Sequence, residues 1–279
     1  MTGSRRMPAH SAPHLIVFSD LDGTLLDHET YSFDPARPAL GELAKLGIPL
    51  VLASSKTAAE IADLRAEMGF AHCPAIVENG AGILEPEGQD GTPDDDTVHR
   101  RLRTALDGLP ADLRGDYTGF SDWSVEDVAA RTGLAPDAAK KAAARRFSEP
   151  GLWTGTEAGR ARFEAELEKS GITARQGGRY LTLSFGATKA ARMREIAGRY
   201  ASDGDLPRMI ALGDAPNDIE MLETADIGVI VTNPHGAALP ALSGEAEGRI
   251  RRTAKSGPTG WNESVLRIID EMRTASGAR

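Results

Sequence analysis

Read only for apolar and polar positions, the chain opens with a short continuous apolar run, Leu15 to Phe18, that stops at Ser-Asp-Leu-Asp-Gly. A run without polar alternation predicts a strand covered on both faces, as in a parallel sheet. Asp34-Pro35 resembles an N-cap followed by proline at the first helical position, so a helix is predicted to about Leu46, stopped by Gly47. Residues 48–53 predict a second strand. Thr57 and Glu60 have capping-box spacing, and the helix they open runs to about Met68. Residues 75–77 predict a third strand. Such strand–helix alternation is the pattern of a doubly wound, mostly parallel, Rossmann-like α/β fold, which binds ligands at the carboxyl ends of its strands.

After Gly82 the pattern changes. Residues 85–96 are acidic and rich in Gly and Pro, as in a linker or exposed loop. Helical spacing follows at about 98–107, 124–132, 136–146 and 158–169. A β-like stretch at 172–185 is broken by Gly177-Gly178, which predicts a hairpin turn. The α/β pattern then returns, with helices at about 189–200 and 216–224, strands at 208–212 and 227–231, and a last helix from near Asn262. The simplest architecture is an α/β core, 14–85 and 187–279, interrupted by an inserted α+β domain at 86–186. Residues 1–13 are expected to be a loose tail, in which Met7 is an alternative start to Met1. No internal repeat or heptad run is present.

Bulk properties narrow the function. The 279 residues are 41% hydrophobic and 26% charged, which fits a soluble globular chain. A net charge of −9 argues against a broad nucleic-acid or anionic-membrane surface. An anionic substrate would then need a local positive pocket. No apolar run approaches the roughly 20 residues that span a bilayer, and Leu15 to Phe18 is too short for a signal-peptide core, so the cytoplasm is the expected location. The single cysteine, Cys73, cannot form an internal disulfide, and a packed thiol is favoured over a reactive one. His72, His99 and His235 lack metal-ligand spacing, and Trp123, Trp153 and Trp261 read as packing residues.

Candidate chemistry gathers at predicted strand ends. In Asp20-Leu-Asp22-Gly-Thr24 the two aspartates, two apart on extended backbone, point to one side, and Gly23 lets the chain turn away. A solvated turn is the plainer alternative. Gly213-Asp214-Ala-Pro-Asn217-Asp218 follows the strand at 208–212 and places further carboxylates at a helix start. Two such clusters on one sheet can supply a hard oxygen cage for Mg²⁺, although Asn217 or Asp218 also suits a helix cap. Ser54-Ser-Lys56-Thr57 offers a hydroxyl, a cation and a helix start, all suited to phosphate, and also reads as ordinary capping. Lys189, by itself, reads as a surface charge at the start of a helix.

Together these residues resemble the haloacid dehalogenase-like superfamily of phosphotransferases. Asp20-x-Asp22-Gly-Thr matches its first motif, Ser54 the second, Lys189 the third and Gly213-Asp214-x-x-Asn217-Asp218 the fourth, in order. An insert between the second and third motifs is similar to the type-II (IIB) cap subclass. Ala-Ser-Ser-Lys-Thr at 53–57, Val-Glu-Asn-Gly-Ala at 77–81, Gly119-Phe-Ser-Asp122, Arg146-Phe-Ser-Glu-Pro150, Gly177-Gly-Arg179-Tyr and Gly260-Trp-Asn262 resemble the mannosyl-3-phosphoglycerate phosphatases. Two departures are Ala215, where Ser is expected, and the absence of a histidine after Arg179-Tyr.

The resemblance implies a Mg²⁺-dependent phosphomonoester hydrolase. Asp20 would be the nucleophile and Asp22 the acid/base. Ser54 and Lys189 would hold phosphoryl oxygens. Metal ligands would come from Asp20, the Asp22 carbonyl and Asp214, with Asp218 behind them. Lys56, Glu78, Asn79, Glu149, Arg179 and Asn217 are candidate contacts to a phosphorylated sugar. Arg179 suits a carboxylate, whereas Glu149, in Ser-Glu-Pro, also reads as a loop residue. Mannosyl-3-phosphoglycerate is the expected substrate. A glucosyl counterpart, a general sugar phosphatase, a phosphomannomutase and a non-catalytic sugar-phosphate sensor are the alternatives.

Overall fold

The computed structural model describes residues 15–88, 96–202 and 204–277. The expected tail at 1–13 and most of the acidic stretch at 85–96 lie outside them. Along the chain the strands are β1 (Leu15–Ser19), β2 (Leu50–Leu52), β3 (Ala75–Val77), β4 (Gly82–Leu84), β5 (Tyr117–Gly119), β6 (Ser148–Trp153), β7 (Thr173–Gly177), β8 (Tyr180–Ser184), β9 (Arg208–Gly213), β10 (Ile227–Thr232) and β11 (Ile250–Ser256).

Five strands form one sheet in the order β11-β10-β9-β1-β2. β1 runs parallel to β9, with Leu15 opposite Arg208 and Ser19 opposite Leu212, and β9–β10 and β10–β11 are parallel too. All five residues of β1 are buried, which is why its sequence shows no alternation. From β1 the chain proceeds outward to β2 on one side and returns as β9, β10 and β11 on the other. The order therefore reverses between β1 and β9, and a doubly wound sheet binds its ligands beside such a reversal.

The chain between β2 and β9 builds two further sheets. β3 and β4 form an antiparallel hairpin, and Ala53 bridges in parallel to Ile76 of β3. The other sheet is wholly antiparallel, in the order β5-β6-β8-β7. Tyr117, Leu181 and Leu183 from its strands pack with Leu102 and Leu106 of helix Thr97–Asp107 and with Phe163 and Leu167 of helix Glu157–Glu168. The fold is thus α/β with a parallel sheet, interrupted in sequence by an α+β insert. By compactness the described chain falls into two units. The first comprises the residues up to Val51, Met193–Ala215 and those from Met221 onward; the second comprises Leu52–Arg192 and Pro216–Glu220.

Local detail departs from expectation in four places. Residues 34–36 form a 3₁₀ turn before the helix Arg37–Leu46, and the Asp34 carboxylate accepts from Arg37 instead of capping the helix. The helix expected at 136–146 ends at Ala143, because the amides of Arg146 and Phe147 donate to the Glu78 carboxylate at 3.0 and 3.2 Å. Ser-Glu-Pro at 148–150 is strand, not loop. Pro150 is tolerated there because β5 ends opposite Gly151, so Pro150 pairs on the β8 side alone. Finally, the last helix begins at Gly257, preceded by the charged edge strand β11, whose polar sequence hides it from a hydrophobic pattern.

Candidate active site

In the first unit, both aspartates of interest follow the strands at the reversal of the sheet. The Asp20 amide donates to Leu212 O at 2.9 Å and so extends the β1–β9 ladder by one step. The chain then folds back tightly, with the amides of Thr24 and Leu26 both donating to Leu21 O at 3.1 and 2.8 Å. Gly23 makes this turn possible at φ +80°. A Cβ there would lie 2.3 Å from Asn233 Nδ2 and 3.0 Å from Asp214 Oδ2, so no larger residue fits unchanged.

The carboxylates of Asp20 and Asp214 are buried, each residue 7% exposed, and offer oxygens within 4.8 Å of one another. Thr24 Oγ1 donates to Asp214 Oδ1 at 2.6 Å, and Asn233 Nδ2 donates to Asp214 Oδ2 at 2.7 Å. These donors orient the Asp214 carboxylate. Two buried carboxylates this close repel unless a cation or a proton joins them. An all-oxygen set of this kind suits a hard divalent ion, so these residues fit Mg²⁺. From beneath, fully buried Trp261 donates from Nε1 to Ser19 Oγ at 2.9 Å, and Ser19 Oγ donates to Asp20 O at 2.7 Å. Asn262 accepts the Ala39 amide at 2.9 Å. Asn233 escaped the sequence reading, since a lone Asn after a strand reads as a turn residue. Its signal was its place at the carboxyl end of β10, the strand beside β9.

The second unit gathers most of the other candidates. Ser54 is buried, and its amide donates to Ile76 O at 3.0 Å, which fixes the end of the predicted strand. Ser54 Oγ accepts the Lys56 amide at 3.2 Å. Thr57 and Glu60 form the expected capping box. Lys189 is not a surface charge: it is 3% exposed, and its Nζ donates to fully buried Asp218 at 2.8 Å. Asp218 is therefore an ion-pair partner on the same loop as Asp214. Asn79 Oδ1 accepts from Asn217 Nδ2 at 3.1 Å. Glu78 is 2% exposed, and its carboxylate accepts from the Arg146 and Phe147 amides and from Ser148 Oγ at 2.6 Å.

Glu149 and Arg179 lie in the antiparallel sheet. Glu149, 0% exposed, accepts from the Ser121 amide and Oγ, both at 2.8 Å, and faces His99 Nε2 at 2.7 Å and Arg103 Nη1 at 3.6 Å. Ser, His and Glu together invite comparison with a nucleophile triad. Here, however, Nε2 of His99 faces both Glu149 and Ser121, whereas a triad uses the two ring nitrogens for separate partners. The geometry of this cluster is not that of a triad. Beside it, burial raises the Asp122 carboxyl, but hydrogen bonds from Arg103, the Gly119 amide and Arg114 outweigh this and hold it below its ordinary value. Arg179 is exposed, with its guanidinium 5.6 Å from the Tyr180 ring.

A family profile for haloacid dehalogenase-like hydrolases matches residues 17–99 and 155–243. The chain belongs to that family. A relative from Persephonella marina named glucosyl-3-phosphoglycerate/mannosyl-3-phosphoglycerate phosphatase is 33% identical over 278 residues, covering 92% of this chain and 98% of the relative. A relative of the same name from Methanococcoides burtonii is also 33% identical, covering 91% of this chain and 97% of its own length. Among solved structures, a haloacid dehalogenase subclass IIB sugar phosphatase superimposes with a TM-score of 0.58 at 17% identity, covering 91% of this chain and 98% of that one. The protein is a haloacid dehalogenase-like phosphatase, and no helix among its described residues is long and apolar enough to cross a membrane.

Proposed function

We propose that this phosphatase hydrolyses the phosphate monoester of a glycosyl-3-phosphoglycerate, mannosyl-3-phosphoglycerate foremost and glucosyl-3-phosphoglycerate as the alternative, through an aspartyl-phosphate on Asp20. The near full-length similarity, at 33% identity, to two phosphatases of that name carries the substrate reading. Asp20 at the end of a buried parallel strand, beside Asp214, supports the chemistry.

Asp20 attacks phosphorus, the bond from phosphorus to the glycerate oxygen breaks, and Asp22 gives a proton to that oxygen. Asp22 then takes a proton from the water that attacks the phosphoryl group, which frees inorganic phosphate and restores Asp20. Half-buried Asp22 suits this exchange, because its partner in each step arrives from outside. Ser54 and Lys189 hold phosphoryl oxygens, and Asp218 orients the Lys189 ammonium. Asp20, Asp214 and the Asp22 carbonyl are assigned to Mg²⁺, with Asp218 behind them. Bound there, Mg²⁺ supplies charge neutralisation for a dianionic ester facing a carboxylate.

Arg179, exposed on the β7–β8 hairpin, is assigned to the glycerate carboxylate, with Lys56, Asn79 and Asn217 as further contacts. Glu78 and Glu149, whose carboxylates are filled by protein donors, are assigned to positioning instead of substrate contact. Residues 86–186 are proposed to act as the cap, and the cytoplasm is the proposed location.

Phosphate release tests this reading, measured on the mannosyl and glucosyl phosphoglycerates and on simple sugar phosphates, with Mg²⁺ and with EDTA. The expected result is a strong preference for one glycosyl-phosphoglycerate that EDTA abolishes. Equal slow release from every ester would remove the substrate assignment. No release from folded enzyme with Mg²⁺ would favour a sugar-phosphate sensor.

A further inference from the structure

The second unit contains a strained segment whose conformation the proposed chemistry does not account for. Glu78, Asn79 and Gly80 adopt positive φ in succession, at 51°, 58° and 96°. Glycine tolerates this region and asparagine visits it, but a glutamate held there is unusual and persists only where its surroundings over-determine it. The surroundings do so. The Glu78 amide donates to Lys56 O and the Asn79 amide to Ser54 O, each at 2.9 Å. The Asn79 side chain accepts from Asn217. A Cβ on Gly80 would lie 2.2 Å from Thr188 C and 2.5 Å from Lys189 N, so this backbone rests directly against the start of the helix that carries Lys189. Arg192, on that helix, donates from Nε to Gly80 O at 3.1 Å.

The other end of the contact is the Glu78 carboxylate. It reaches the two amides and the hydroxyl of 146–148, where the helix Pro136–Ala143 has ended and β6 begins. One three-residue segment therefore touches Ser54, Lys56, Asn217 and the backbone at Lys189 on one side and the start of β6 on the other.

We infer that Glu78 is a positioning residue for the phosphate-binding groups. Its carboxylate ties the start of β6 to the left-handed segment 78–80, and that segment sets Ser54, Lys56 and Lys189. The inference rests on the phosphatase reading above. It also implies that Glu78 discriminates nothing in the substrate beyond its phosphate. Glu78→Gln places an amide N–H₂ among three donors and keeps one acceptor, so the segment should relax. Ser148→Ala removes one donor and leaves Glu78 in place, which makes it the milder variant should the first fail to fold.

The test uses the full chain with Mg²⁺. It measures kcat and KM on mannosyl-3-phosphoglycerate and on p-nitrophenyl phosphate, and affinity for inorganic phosphate by calorimetry. Glu78→Gln should weaken phosphate about tenfold and lower kcat/KM about tenfold or more on both esters. Ser148→Ala should move all three the same way by about threefold. A loss confined to the glycosyl ester would overturn the inference, since Glu78 would then be reading sugar or glycerate. Values within twofold of wild type for all three, with only the melting temperature lowered, would also overturn it by leaving a merely structural contact. If wild type cleaves neither ester, the phosphatase reading fails, and phosphate affinity alone decides: weakening in the variants upholds the inference, and unchanged or absent binding ends it.

Discussion

Two regions of this molecule bury carboxylates and use them in opposite ways. In the antiparallel sheet, Glu149 is enclosed by the Ser121 amide and hydroxyl, with His99 and Arg103 alongside. At the reversal of the parallel sheet, Asp214 accepts from Thr24 and Asn233 and has a second buried acid, Asp20, within 4.8 Å. A buried acid among donors and cations is a structural element. Two buried acids side by side form an oxygen set that suits a hard cation. Charge environment, more than burial, separates the two.

The largest expected effect breaks the functional side. Asp20→Asn should lower turnover on the order of 10⁴-fold or more, since a carboxamide is a poor nucleophile. Turnover near wild type would collapse the distinction. On the structural side, Glu149→Ala should destabilise the fold by about 3–5 kcal/mol, since its donors and cation lose their shared acceptor. Chemical denaturation reads this directly, and a change below about 1 kcal/mol would contradict the structural assignment.

A smaller effect sharpens the contrast at acid pH. Glu245 is pushed down to about 2 by hydrogen bonds from Arg252 and from the Leu242 amide, against the upward push of burial. A depressed folded value means the carboxylate stabilises the protein fully above its unfolded pKa, near 4.5, and that this gain fades as pH falls towards 2. Asp122 behaves with the same sign. Because Glu245 and Arg252 are both partly exposed, its share should be modest. Melting curves of Glu245→Gln should run below wild type at neutral pH and converge with it in acid; a constant gap would refute the linkage.

The functional side was the more legible in sequence, for a physical reason. Strand β1 has no polar alternation and ends abruptly in Asp20, so apolar run and chemistry mark each other. The roles of Lys189 and Asp218 as a buried pair were less visible, because a lone lysine looks like surface until its partner is located. Strands β5 and β6 were hidden by their own packing. A Cβ on Gly119 would fall 2.1 Å from Glu149 Oε1, and one on Gly151 would fall 2.4 Å from Tyr117 Cζ. Glycines that read as turns are there to admit neighbouring side chains. The left-handed conformation of Glu78 left no trace in its residue type, since only the contacts at 146–148 and at Lys56 hold it.

Calorimetric titration of the metal-free enzyme with Mg²⁺ tests the central claim most directly. Wild type should bind one ion, and Asp214→Asn should weaken that binding at least about a hundredfold with its fold intact. Equal Mg²⁺ affinity in the two proteins, or none in wild type, would contradict the account of the Asp20–Asp214 pair.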